Sequence, residues 1–273
     1  MFFPLSPLTP PTSSSTLSPS PIYAPRRTYD DDDDEGEYRR RIGNAAIACV
    51  CGILSILALV DATLAGSRGT VAIYSFDGVR PGGFETTVLT ESFQLGYLTA
   101  VFLLLPALNH AFVFWWSDVY ELQLGRGNNP FRWLEYTFSS STMSVLIALL
   151  CGVVEIKLLV AIICLTMMTM FFGALGESQA RNKKFIFIVG CFPFVAKWCI
   201  CLAGFFFNVA RSDGVPPFVV AIVCILVVLE SLFGVNQIRR VDDFMSREHA
   251  FMLLSPVAKL TLAGLTYGGL RTL

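Results

Sequence analysis

Long apolar stretches separated by short polar connectors organise most of the chain. Seven of them are long enough to cross a bilayer, at approximately 42–65, 92–116, 130–152, 155–175, 185–208, 216–236 and 250–270. A helical crossing requires ~20 predominantly apolar residues. The pattern therefore predicts an all-α membrane protein with seven transmembrane helices.

One connector is long and has a different pattern. Residues 67–91 contain "TVAIYSF", in which apolar and polar residues alternate, followed by "DG" and then "PGG". Alternation bounded by such turn residues is typical of a β-hairpin. We expect this hairpin to lie outside the membrane, after the first span.

The N-terminal segment has the composition of a disordered tail. Residues 1–28 are rich in Pro, Ser and Thr and hold half of all the prolines, so they cannot build a core. An acidic run and three consecutive arginines follow before the first span. We therefore divide the chain into a disordered cytoplasmic tail, 1–41, and a seven-helix domain, 42–273. A transit peptide is the alternative for the tail, on composition.

Basic residues near the ends of the spans predict the orientation, because they concentrate on the cytoplasmic side. With the N-terminus inside, the inner side holds Arg39, Arg40, Arg41, Arg126, Arg181, Lys183, Lys184, Arg239, Arg240 and Arg247. The outer side then holds only Arg68, Arg80, Lys157, Arg211 and Arg271. This asymmetry favours a cytoplasmic N-terminus, an extracellular C-terminus and an extracellular hairpin.

Overall composition supports a membrane protein and argues against several other classes. Hydrophobic residues make up 54% of the chain and charged residues only 15%, against about 25% charged in soluble domains. The formal net charge is −1, which gives no sign of a nucleic-acid partner. The eight cysteines fall in or beside apolar runs, where they behave as small apolar residues. We therefore predict neither a disulfide framework nor a metal site.

Six ionisable residues within the predicted spans are candidates for a functional site, because an unpaired charge there costs at least ~2.5–3.5 kcal/mol. They are His110, Arg132, Glu135, Lys197, Glu230 and Lys259. With a rise of ~1.5 Å per residue, Lys259 lies roughly 14 Å from the cytoplasmic end of its span, and Glu135, His110 and Glu230 lie roughly 8–9 Å from theirs. Ser255 shares a helix face with Lys259, because the two are four residues apart. These positions predict one polar site in the cytoplasmic half.

Structural alternatives remain open for two members of that site. Glu135 could instead pair with Arg132, three residues earlier on the same helix. His110 serves equally well as an ordinary hydrogen bonder between helices.

Two further residues have alternatives of the same kind. Glu230 could pair at the interface with Arg239 or Arg240, or remain a buried neutral acid. Lys197 lies towards the outer half of its span, and its long side chain could reach the outer interface.

A lysine amine inside an apolar bundle has a distinctive chemistry. The uncharged amine is a nucleophile and forms Schiff bases with aldehydes. A protonated Schiff base then requires a nearby carboxylate, and Glu135 is placed to supply it. Light-driven isomerisation of a conjugated adduct would move the charge relative to Glu135. Aromatic and methionine side chains available to line a polyene are Trp133, Tyr136, Phe138, Met143, Met167, Met168, Phe194 and Trp198.

Two segments resemble the heliorhodopsin family: "RWLEYTFSSSTM" at 132–143 and "LLSPVAK" at 253–259. The predicted N-inside topology and the strand-forming loop after span 1 resemble it as well, so the likeness covers about residues 40–270. It implies a photoreceptor in which Lys259 carries retinal, all-trans in the dark, as a Schiff base with Glu135 as counter-ion. The roles it implies for other side chains are a polar network of Ser255, Ser139 and His110 and a chromophore lining that includes Tyr136 and Met143.

The same resemblance implies partners and an output. It implies a homodimer in lipid, with the loop after span 1 at the contact, and a non-enzymatic photosensor without efficient ion transport. The downstream protein is not identified by the sequence.

The chain departs from the family pattern in helix 1, at Pro256 and at Glu230, which is an extra buried acid. The histidine frequent in helix 1 is missing, and Cys51 or a neighbour is expected in its place. Pro256 removes a backbone N–H that would bond the Met252 carbonyl. Ser255 stands where pump-type rhodopsins usually have a second carboxylate, which argues against ordinary outward pumping.

Two other functions remain open. One is a light-gated or light-driven proton transporter, in which Glu230 and His110 continue a path from Glu135. The other is a membrane scaffold without pigment, in which Lys259 and Glu135 form only a buried ion pair.

Overall fold

Eight helices and one two-stranded sheet form the computed structural model, which describes residues 31–66, 68–81, 83–178, 182–211, 214–239 and 244–272. The elements in chain order are α1 (Asp31–Leu64), β1 (Thr70–Arg80), β2 (Gly83–Gln94), α2 (Leu95–Trp115), α3 (Ser117–Gly125), α4 (Pro130–Leu150), α5 (Ile156–Ser178), α6 (Lys183–Arg211), α7 (Pro217–Ile238) and α8 (Phe244–Leu270). We call the end of the bundle with β1 and β2 the hairpin end, and the opposite end the α3 end.

Six of the described helices are long and apolar enough to cross a membrane: α1, α2, α5, α6, α7 and α8. The protein is therefore a multi-pass integral membrane protein, as predicted. The helix α4 is as long as α2, at 21 residues, but Arg132, Glu135 and a run of Ser and Thr lower its hydropathy. Seven spans and the direction of insertion stay predictions.

Internal hydrogen bonds explain how α4 tolerates its polar residues between α2 and α5. Thr137 donates to the Trp133 carbonyl at 2.7 Å and Ser141 to the Thr137 carbonyl at 2.6 Å. Each hydroxyl is thereby satisfied one turn back in its own helix. A polar sequence can thus pack inside the bundle without unpaired hydroxyls at these positions.

The first helix begins earlier than the pattern predicted. Residues 31–41, assigned to the disordered tail, are helical in α1, and 1–30 lie outside the described residues. Arg40 explains part of the difference, because it forms an ion pair with Glu121 of α3 at 2.6 Å. The helix α3 itself was not predicted, because it lies in a connector that has no long apolar run.

The predicted hairpin is confirmed, and it is attached to the bundle. The strands β1 and β2 pair antiparallel, and the chain turns between Arg80 and Gly83. Of the two turn signals in the sequence, "DG" lies within β1 at a register shift, where Gly78 has a φ of +127°. The Tyr74 N–H donates to the Val154 carbonyl at 3.0 Å, so β1 also bonds to the connector between α4 and α5.

Apolar side chains fill the bundle centre and also cover its outside. Fully buried members include Phe102, Leu146, Ile222 and Leu262, whereas many large apolar side chains on the outer helix faces are exposed. An apolar outer surface is what lipid contact requires. All eight cysteines are free thiols.

Candidate functional site

A buried lysine and a buried glutamate meet between α8 and α4. The Lys259 Nζ donates to Glu135 Oε1 at 2.8 Å and to Ser255 Oγ at 2.7 Å. Lys259 is 3% exposed and Glu135 6%. The Tyr136 ring centroid lies 5.1 Å from the same ammonium. The structure thus brings together three residues that the sequence assigned to one site.

Local sequence explains how these side chains reach the same place. The helix α4 starts at a cap in which Asn129 accepts from the Arg132 N–H at 3.1 Å, with Pro130 at its first turn. This start sets which face carries Glu135. The helix α8 continues through Pro256 to Leu270, and the i, i+4 spacing keeps Ser255 under Lys259.

His110 lies beside this site and has a partner that the sequence analysis missed. Its Nδ1 is 2.6 Å from Asn44 Oδ1 on α1. His110, Asn44, Glu135 and Ser255 all line a small cavity of about 20 Å³. Asn44 is therefore the α1 residue paired with His110. Asn44 was missed because its amide is uncharged, and the candidates from the residues themselves were chosen by charge or by their spacing from Lys259.

Arg132 belongs to a separate buried network at the α3 end. It forms ion pairs with Glu177 of α5 and, at 2.7 Å, with Glu248 of α8. Asn129 also donates to Glu248, at 2.6 Å. The alternative in which Arg132 neutralises Glu135 is therefore wrong. Both acids were missed because they fall just outside the predicted spans 155–175 and 250–270.

A second charged pair joins α6 and α7. The Lys197 ammonium contacts Glu230, whose Oε2 also accepts from the Trp198 indole N–H at 2.9 Å. Lys197 is 4% exposed, so its predicted route to the outer interface is wrong. Glu230 therefore pairs with Lys197 and not with Arg239, which was one of its predicted partners. Arg240 lies outside the described residues.

A cavity of about 380 Å³ connects the two lysines. Its volume falls in the range of ligand pockets, about 300–1,000 Å³. Its lining includes Lys259, Tyr136, Trp133, Met143 and Phe194. The cavity is therefore mostly apolar, with the Lys259 amine in its wall.

Four predicted lining residues lie elsewhere. The Trp198 side chain contacts the cavity wall through Glu230 and is not itself among the lining residues that the described chain provides. Phe138, Met167 and Met168 are 50%, 37% and 49% exposed, on the outer surface of the bundle. Without the facing helices, periodicity alone did not separate inner from outer positions.

Ser139 is fully buried, one turn from Glu135 on α4. Its hydroxyl has no hydrogen-bond partner among the described residues. A buried, unpaired hydroxyl costs about 1–3 kcal/mol. Ser139 is not among the residues that line either cavity, so its place in the polar network stays a prediction.

The arrangement suits covalent capture of an elongated apolar aldehyde. Condensation of the Lys259 amine with an aldehyde forms a C=N bond and releases water. The carboxylate of Glu135 already lies at hydrogen-bond distance from the nitrogen, at 2.8 Å. The chain thus supplies a nucleophile, a counter-charge and an apolar cavity, which fit a polyene aldehyde such as retinal.

Comparison with known proteins gives a family and a fold. The family model described as Heliorhodopsin matches residues 41–270. No relative was found among curated proteins. The transmembrane domain of a rhodopsin phosphodiesterase from Salpingoeca rosetta has a similar structure, with a TM-score of 0.63, 13% identity, and 89% of this chain and 90% of that chain covered. A cyanorhodopsin from Calothrix sp. has a TM-score of 0.62 and 13% identity, and the match covers 84% of this chain and 94% of that chain. At this identity the two structures show the fold alone.

Proposed function

This chain belongs to the heliorhodopsin family, and we propose that it is a photoreceptor that holds all-trans-retinal through a Schiff base on Lys259. The observation that carries the proposal is the buried Lys259–Glu135 contact of 2.8 Å in the wall of a cavity of about 380 Å³.

The residues around Lys259 have distinct roles in this proposal. Lys259 provides the nucleophile and then the covalent anchor. Glu135 compensates the positive charge on the nitrogen, and Ser255 accepts a second hydrogen bond from it. Retinal, when bound, supplies the absorption of visible light and the isomerisation that follows.

The output is a change of conformation. The Lys259–Glu135 contact joins α8 to α4, so a displaced nitrogen alters the attraction between these two helices. Ser255 is neutral, and within the part of the chain that the structure describes Glu135 is the one carboxylate in contact with the amine. One counter-charge supports sensing rather than outward pumping. The signal passes to a protein partner, from a homodimer in lipid with its N-terminus in the cytoplasm.

The two alternative functions, proton transport and a pigment-free scaffold, make different demands on the charged pairs. A proton path through Glu230 is weakened because Glu230 is engaged by Lys197 and Trp198. A pigment-free scaffold would need only the ion pair, and retinal binding separates it from both light-driven functions.

Absorption spectroscopy tests the proposal. Membranes that contain the chain are compared with and without added all-trans-retinal, beside Lys259→Ala and the control Lys157→Ala, whose side chain is 63% exposed. We expect a visible band in the wild type and the control, and none in Lys259→Ala. A band that persists in Lys259→Ala would refute the assignment, and photocurrents under voltage clamp would favour proton transport.

A further inference from the structure

The cavity that Lys259 lines also contains a second charged pair, which lies further along α4. Lys197 and Glu230 line the same cavity. The Lys197 Nζ lies 3.5 Å from Ser144 Oγ on α4, and Ser144 is nine residues beyond Glu135 in that helix. The two charged pairs are thus separated by roughly 13 Å along α4. A ligand anchored at Lys259 and extended through the cavity reaches the Lys197–Glu230 pair with its distal end.

The pair retains hydrogen-bonding capacity that the protein does not use. Both hydrogen bonds to Glu230 end on its Oε2, and its Oε1 accepts none from the described residues. An ammonium has three donors, and the Lys197 ammonium has Glu230 and Ser144 as acceptors. One carboxylate oxygen and one N–H therefore remain for a ligand atom.

A wholly apolar ligand end would be a poor match for this part of the wall. It would remove water from a charged pair and replace none of the hydrogen bonds that water supplies. A hydroxyl group matches the unused capacity, because it can accept from Lys197 and donate to Glu230. The apolar wall between the two pairs, which includes Met143 and Phe194, suits a polyene.

We propose that the Lys197–Glu230 pair recognises a hydroxyl group at the distal end of the chromophore, so that the preferred ligand is a ring-hydroxylated retinal. This inference rests on the proposed function, since it assumes an aldehyde bound at Lys259. It adds a second recognition site to the cavity and names the class of ligand that the site selects.

A competition between two aldehydes tests the inference. Membranes of the full chain, prepared without retinoid, receive equal amounts of all-trans-retinal and all-trans-3-hydroxyretinal, and the ratio of the bound aldehydes is measured after extraction. We expect a preference of about tenfold or more for the hydroxylated aldehyde, since hydrogen bonds to charged groups are the strong ones. Glu230→Gln and Lys197→Met should each lower the preference to about twofold or less.

The control removes a different hydroxyl from the cavity wall. Thr169 lines the cavity, but its hydroxyl already donates to the Leu165 carbonyl at 2.9 Å, so Thr169→Val should keep the wild-type preference. Pigment formation with retinal alone checks that each variant folds.

Two outcomes overturn the inference in different ways. Equal uptake of both aldehydes by the wild type, or a preference that survives in both pair variants, refutes the role of the pair and leaves the proposed function intact. No visible band with either aldehyde refutes the proposed function, and the inference with it.

Discussion

Loss of the ammonium of Lys259 should destabilise the apoprotein far more than loss of an exposed charge. The Nζ–Oε1 distance of 2.8 Å corresponds to an attraction of about 6 kcal/mol at an effective dielectric constant of ~20. Desolvation offsets part of this attraction, and removal of one partner from a buried pair costs about 3–5 kcal/mol. Lys259→Met should therefore lower the free energy of unfolding by an amount in that range.

A double-mutant cycle isolates the pair. Lys259→Met, Glu135→Gln and the double variant are unfolded in detergent at increasing denaturant, without retinal. The double variant should recover much of the loss, because neither charge is left alone, with a coupling energy of about 2–3 kcal/mol.

The exposed pair Glu35–Arg39 is the matched control, with side chains 65% and 77% exposed. Its coupling should not exceed about 0.5 kcal/mol. A coupling for Lys259–Glu135 as small as that of the control would refute the placement of the pair in a dry interior.

Two further perturbations test the surroundings of the site. A Cβ at Gly173 would lie 2.4 Å from the Trp133 ring, so Gly173→Ala should push the ring into the cavity and slow pigment formation with retinal. At the control position Gly264 an added Cβ meets nothing within 4 Å, so Gly264→Ala should form pigment at the wild-type rate. Equal rates for the two variants would contradict the packing of Trp133 against Gly173. Asn44→Leu removes the partner of His110 and should cost about 1–3 kcal/mol, measured as a lower unfolding midpoint; an unchanged midpoint would show that water replaces the amide.

The hydrophobic pattern predicted the helices well because lipid leaves few alternatives to a helix. Depth along the spans also brought Lys259, Glu135 and Ser255 to one place, because a helix has a constant rise per residue. Their contact also depends on which faces of α4 and α8 meet. The i, i+4 spacing of Ser255 and Lys259 predicted the face of α8, but no spacing predicted the face of α4.

The depth of a residue along its span did not predict the direction of its side chain or the ends of the helices. Lys197 was expected to extend outward, but it turns inward to Glu230 of the neighbouring helix. Its direction depends on the rotation of α6, which one sequence does not specify. Glu248 was overlooked because α8 begins at Phe244 and not near 250, and helix ends that project past the apolar run leave no hydropathy signal.

Attachment of β1 to the connector between α4 and α5 makes the two edges of the hairpin unequal. At Tyr74 the outer side of β1 is already bonded to Val154, so this edge is partly closed to a strand from another molecule, and the other edge is that of β2. Glu85 and Glu91 lie on that strand, and charged residues on an edge oppose strand addition. Val88 and Leu89 of β2 are 47% and 53% exposed. A molecule that approaches the hairpin therefore meets apolar side-chain surface on its faces, while the charged edge discourages growth into a longer sheet.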